Sequence, residues 1–122
     1  MISLRARIIR FTSKQLFKKI SPDADVTFLR QSFEMIEGKR KPASSVQVTQ
    51  STIAGRDCRW LVPKGCESAP VLYYLHGGAY VVGSPATHTR LVSHIAKRAH
   101  MRALLPDYSL APEKPFPAGL HD

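Results

Sequence analysis

At 122 residues, with 43% apolar and 22% charged residues, the chain has room for one small globular domain and is too apolar for wholesale disorder. The net charge is +9 and unevenly spread: Met1 to Lys41 holds ten Lys/Arg against four Asp/Glu, and Pro42 to Asp122 holds eight against five. A basic segment of this kind attracts anionic surfaces by sequence-independent charge, but no nucleic-acid-binding motif accompanies it and no nucleic-acid partner is expected.

Residues 1–20 place Ile2, Leu4, Ile8, Ile9, Phe11, Leu16, Phe17 and Ile20 among Arg5, Arg7, Arg10, Lys14, Lys18 and Lys19, the pattern of a basic amphipathic helix. Such a helix can lie on a membrane surface, which leaves membrane association through residues 1–20 open. Arg10 interrupts the apolar run, so neither the apolar stretch of a secretion signal (about 7–15 residues) nor a membrane-spanning helix (about 20) is present. A cytoplasmic location is expected. Ser21-Pro22-Asp23 reads as a helix restart, Val26, Leu29, Phe33 and Ile36 follow at helical spacing, and Gly38 stands where a helix stops. Two helices are therefore predicted over residues 1–41, with Lys39 to Ser45 as a boundary to a second segment, 42–122.

The periodicity then changes. Val46 to Thr49 alternates, as does part of Ile53 to Val62, with Gly55-Arg56-Asp57 as a turn or bulge and Pro63-Lys64-Gly65 as a turn. Val71 to Leu75 is a continuous apolar run, which predicts a central strand covered on both faces. Pro85 and Thr87 open a helical stripe through Leu91, Val92, Ile95, Ala96 and Ala99. Arg102 to Leu105 reads as a strand stopped by Pro106, and Pro112, Pro115 and Pro117 impose an extended loop. The order β, β, β, α, β predicts an α/β sheet. Cys58 and Cys66 fit neither a C-x-x-C nor a zinc framework and are read as reduced thiols, with a disulfide between them as the alternative.

The motif that carries chemistry is His76-Gly77-Gly78-Ala79-Tyr80, directly after the predicted strand. Glycines there let bare N–H groups approach a ligand, as the stabilisation of a tetrahedral oxyanion requires. The same glycines would also serve a plain turn. Gly78 to Ser84 has the glycine spacing of a P-loop but lacks its lysine. His88, His94 and His100 are six apart and do not share a helix face, so no metal site is expected. Ser84, Ser93 and Ser109 lie in no nucleophile context.

A second motif, Asp107-Tyr108-Ser109-Leu110-Ala111-Pro112-Glu113-Lys114-Pro115-Phe116-Pro117-Ala118, decides between these readings. With it the chain resembles the hormone-sensitive-lipase-like branch of the α/β-hydrolases, which carries His-Gly-Gly-Gly or His-Gly-Gly-Ala, a Gly-Ser pair (here Gly83-Ser84), and then Asp-Tyr-x-Leu-Ala-Pro-Glu-x-Pro-Phe-Pro-Ala. Thr87-His88 also stands in a matching place, and Asp122 stands where the family often has an acid. The likeness is sharp over residues 71–122 and looser before.

The resemblance implies a cofactor-free and metal-free ester hydrolase acting on small acyl esters. The N–H groups of Gly78 and Ala79 would bind the oxyanion, Gly77 and His76 would support the loop, and Tyr80 would face the substrate. Asp107, Tyr108 and Glu113 would tie the proline loop to it, and the first two helices would match the family's cap over the acyl pocket. Ala79 replaces the commoner third glycine. The family's nucleophile lies in a Gly-x-Ser-x-Gly elbow followed by an acid and a histidine, and none of these is found in the 122 residues. The expectation is an incomplete α/β-hydrolase sheet preceded by two cap-like helices, inactive alone, with an apolar edge that promotes aggregation. The alternative is a non-catalytic basic protein whose N-terminal helix binds an anionic surface or a partner.

Overall fold

The computed structural model describes residues 3–8, 10, 11 and 25–122. Residues 4–8, 10 and 11 are helical; the rest of the helix predicted over 1–20, and the Ser21-Pro22-Asp23 restart, lie outside the described residues. Helix α1, Val26–Phe33, is capped by Asp25, whose side chain accepts from the Thr27 N–H at 2.9 Å. It continues into a π-helical turn, Glu34–Gly38.

Strands β1 (Val46–Ile53) and β2 (Arg56–Pro63) form an antiparallel hairpin. Its turn is Ala54-Gly55, one residue earlier than the sequence pattern suggests, with both residues left-handed (φ 50° and 78°). That geometry matches the twist of the flanking strands. β3 (Val71–Tyr73), α2 (Pro85–Ala99) and β4 (Arg102–Pro106) form a β-α-β unit in which β3 runs parallel to β4. The four-stranded mixed sheet has the order β1-β2-β4-β3. A short helix, α3 (Ala118–His121), closes the described chain.

Two expectations need correction. Val71 to Leu75 does not form a central strand covered on both faces. The strand is short and lies at the sheet edge, with Val71, Tyr73 and Leu75 at 40%, 59% and 60% exposure. A continuous apolar run signals burial on two faces but cannot supply the neighbours. Helix α2 likewise buries only part of its apolar stripe: Val92, Ser93 and Ala96 face the sheet, while Leu91 and Ile95 are exposed. The core is Leu61, Val92, Ala96, Ala103 and Leu105, with Val46, Leu72 and Tyr74 packed against it.

Local chemistry fixes α2 firmly. The Ser84 hydroxyl accepts from the N–H groups of Ala86 and Thr87, the Thr87 hydroxyl accepts from the Ser84 N–H, and Pro85 occupies the first turn. Ser93 is wholly buried, accepting from the Ala43 N–H and donating to the Arg90 carbonyl, both at 2.7 Å. It ties the start of the second segment to the helix. Cys58 and Cys66 are free and buried, as the reduced-thiol reading requires.

Candidate active site

The His76 to Ser84 segment connects β3 to α2, so it sits where the parallel strand ends and the crossover helix begins. Gly78, Ala79 and Tyr80 take φ values of 138°, 56° and 58° in succession. This path folds the loop back on itself, and the N–H groups of Val81 and Val82 both donate to the Gly78 carbonyl, at 3.0 and 2.9 Å. Among the described residues, nothing accepts from the N–H groups of Gly77, Gly78, Ala79 or Tyr80. These donors border a cavity of about 280 Å³ walled by Leu75 to Tyr80 and Tyr108. A row of unspent backbone donors around a small cavity can receive a negatively charged oxygen.

The loop is shored from beneath. His76 is 3% exposed and its ring stacks on that of Tyr108 with centroids 4.3 Å apart. Its Nδ1 lies 3.0 Å from the Gly77 carbonyl oxygen. A carbonyl can only accept, so Nδ1 carries the proton and Nε2 is left as a buried acceptor with no partner among the described residues. The Tyr108 hydroxyl donates to the His76 carbonyl at 2.5 Å. Burial holds the His76 pKa below its usual 6.5, with His88 acting in the same direction and the Gly77 carbonyl, Asp107 and Glu34 opposing. The unfolded chain therefore takes up a proton near pH 6.5, where the folded chain does not. Stability from this group is complete above pH 6.5 and is lost as pH falls toward the lower folded value. Melting temperature should drop on acidification from pH 7.5 to 5.5, and a His76→Asn variant should flatten that part of the profile.

Ala79 is the residue that departs from the commoner glycine. A left-handed alanine carries roughly 1–2 kcal/mol of strain, and glycine returns roughly 0.5–1 kcal/mol of that through its freer unfolded state. Ala79→Gly should therefore raise the melting temperature by about 2–4 °C, as read by calorimetry.

The other expected site residues fall as follows. Tyr80 is 69% exposed at the cavity rim, with its ring edge toward Tyr108. Its carbonyl accepts from the Ala111 N–H at 2.8 Å, which joins the two loops. Asp107 is attached through its backbone, donating to the Asp57 carbonyl at 2.8 Å. Its carboxyl lines a separate groove with Glu34, Asp57 and Ser84, and loss of water there, with Asp57 and Glu34 adding to it, raises its pKa. Glu113 reaches Arg30 on α1, a bidentate pair at 2.8 and 2.9 Å; the guanidinium holds the Glu113 carboxyl below its ordinary range. Asp122 accepts from the Ser109 N–H at 2.5 Å and pairs with Arg56, and these contacts hold its carboxyl low.

Arg30 and Glu34 carry no signal of their own in the sequence, where they read as the polar side of an amphipathic helix. The structure departs from that pattern: Phe33 and Ile36 of the apolar stripe are exposed, as are Phe28 and Met35, while Arg30 and Glu34 are half-buried and reach the His76–Ser84 loop. His88 is half-buried beside His76, and no group of three or more potential metal ligands occurs among the described residues. No helix among the described residues is long and apolar enough to cross a membrane.

Comparison with known proteins agrees with this geometry. A family model for the alpha/beta hydrolase fold matches residues 72–122. The carboxylic ester hydrolase LipN of Mycobacterium tuberculosis is 32% identical over 108 residues, covering 84% of this chain and 29% of the relative. An acetyl-hydrolase of Streptomyces hygroscopicus is 37% identical over 71 residues, covering 58% of this chain and 23% of the relative. Among solved structures, an esterase/lipase from an uncultured bacterium superposes with a TM-score of 0.78 at 38% identity, over 93% of this chain and 39% of that one. An esterase of the bacterial hormone-sensitive lipase family gives 0.75 at 37% identity, over 84% and 34%. The chain thus spans under a third of the length of the curated relatives it matches. With the family model matching residues 72–122 and esterases at 37% and 38% identity superposing on most of this chain, the chain belongs to the α/β-hydrolase superfamily, among its hormone-sensitive-lipase-like esterases and lipases.

Proposed function

We propose that these residues form the oxyanion-binding part of a serine carboxylesterase acting on small acyl esters. The observation that carries this reading is the set of unspent N–H donors from Gly77 to Tyr80 around the cavity. Attack on an ester carbonyl moves charge onto its oxygen. The N–H groups of Gly78 and Ala79 would receive that charge, and each such donor contributes about 10²–10³ in rate. Tyr80 at the rim would contact the acyl or alcohol group. His76, Tyr108 and Glu113 would support the loop from behind and would not touch the reacting atoms. Residues 1–41 would act as a cap-like segment and 42–122 as the first half of the hydrolase domain. The 122 residues contain no Gly-x-Ser-x-Gly, so the nucleophile, acid and base would lie outside them.

Two measurements test this. The purified 122-residue chain should hydrolyse p-nitrophenyl acetate and butyrate no faster than an unrelated basic protein; robust turnover would show that the nucleophile is already present. The coding sequence past codon 122 should lead into a Gly-x-Ser-x-Gly followed by an acid and a histidine, and a stop there would end the esterase reading.

One observation supports a second role. Leu4, Ile8 and Phe11 are 72%, 55% and 65% exposed at helical spacing, with Arg5, Arg7 and Arg10 between them. This segment would rest on an anionic membrane. Binding to phosphatidylserine vesicles that weakens with salt and disappears on deletion of residues 1–20 would support it, and no binding at low salt would remove it.

A further inference from the structure

We infer that Arg30 is a positioning residue for the oxyanion loop, and that with Glu34 it makes the helix Val26–Gly38 the template on which that loop is set. The inference rests on reading Gly78 and Ala79 as the oxyanion donors. Arg30 Nε donates to the Val81 carbonyl at 2.7 Å and Nη2 to the Ala111 carbonyl at 2.7 Å. The remaining contacts, Nη1 and Nη2 to the Glu113 carboxylate at 2.8 and 2.9 Å, fix the plane of the guanidinium. One helix-borne group therefore holds a carbonyl of the oxyanion loop and a carbonyl of the proline loop at once. The ring closes because the Ala111 N–H donates to the Tyr80 carbonyl at 2.8 Å.

Glu34, four residues further on and so on the same helix face, accepts from the Ser84 hydroxyl. The stretch Val81 to Ser84 is thus gripped near both ends by a single helix face. Because the N–H groups of Val81 and Val82 both bond the Gly78 carbonyl, the position of Val81 is passed directly to Gly78 and Ala79. Any displacement of the helix is transmitted to the donors. Only a guanidinium can do this: four of its five N–H groups are used here, in two directions, whereas a lysine has three donors on one point.

The test reads loop order instead of turnover, so failure as a hydrolase and failure of this inference are separable. In the whole chain, backbone hydrogen exchange is followed at Val81, Val82 and Ala111, with the β1–β2 ladder as an internal reference. Arg30→Met should speed exchange at those three amides at least tenfold and leave Arg59 and Trp60 unchanged. Arg30→Lys should not restore protection, and added propylguanidinium should partly restore it in Arg30→Ala. Exchange at the three amides within twofold of the parent, or a rise shared equally by the β1–β2 ladder, overturns the inference. Should Arg30→Met fail to fold, Glu113→Gln decides: it frees the guanidinium plane, and a rise of about threefold at the same amides is expected, while no rise overturns the inference.

Discussion

Gly83→Ala should destabilise the chain by about 3 kcal/mol, lowering its melting temperature by roughly 10 °C. Gly83 has a φ of 93°, a conformation that is strained for any residue with a Cβ. An added Cβ would also lie 2.6 Å from the Gly77 carbonyl oxygen and 2.9 Å from His76 Nδ1. Both atoms belong to the hydrogen bond that orients the His76 ring, so neither can retreat without breaking it. Strain of about 1–3 kcal/mol and overpacking of about 1–3 kcal/mol therefore add. Gly55→Ala is the control, because Gly55 has a similar left-handed φ of 78° but nothing within 4 Å of the added atom. It should cost only the conformational part, about 1 kcal/mol. Equal losses for the two variants in urea or thermal unfolding would mean that the contact with His76 is not rigid.

The contrast between these glycines also marks what the sequence could and could not reveal. Elements defined by local chemistry were legible. The turn at Gly55, the helix opening at Gly83-Ser84-Pro85 and the strand stopped by Pro106 all follow from residues adjacent in the chain, whereas the extent of β1 through Ile53 and its pairing with β2 did not. The His-Gly-Gly-Ala loop was legible for the same reason, since its free donors arise from one short run of backbone. The tethers were not legible. Arg30 and Glu113 are 83 positions apart, and nothing in an amphipathic pattern distinguishes a charged residue aimed at a loop from one aimed at water. The stacking of Tyr108 on His76, 32 positions apart, depends on β4 and β3 being neighbours. Apolar periodicity identified β3 and α2 but overstated their burial. It reports what a residue prefers, whereas Val71, Tyr73, Leu91 and Ile95 show what the described sheet has available to cover them.

Leu61 and Leu91 give that distinction an energetic form. Leu61 is wholly buried at the centre of β2, opposite Val48 on one side and Ala103 on the other, and packs with Val92, Ala96 and Leu105. Removing its side chain takes apolar surface out of contact and leaves a cavity that the rigid sheet cannot close, so Leu61→Ala should cost about 3 kcal/mol, within the range of roughly 2–5 for such changes. Leu91 is 54% exposed on α2, and Leu91→Ala should cost under about 1 kcal/mol. Chemical denaturation of both variants checks the difference. The consequence extends to the candidate site, because β4 pairs with β2 through Leu61↔Ala103 and leads straight into Asp107-Tyr108. A loosened β2–β4 ladder lets Tyr108 leave His76, and the His76–Ser84 loop loses its floor. Comparable losses for Leu61→Ala and Leu91→Ala would place the working core on the opposite face of α2, against Leu91 and Ile95, and would detach the loop's support from β4.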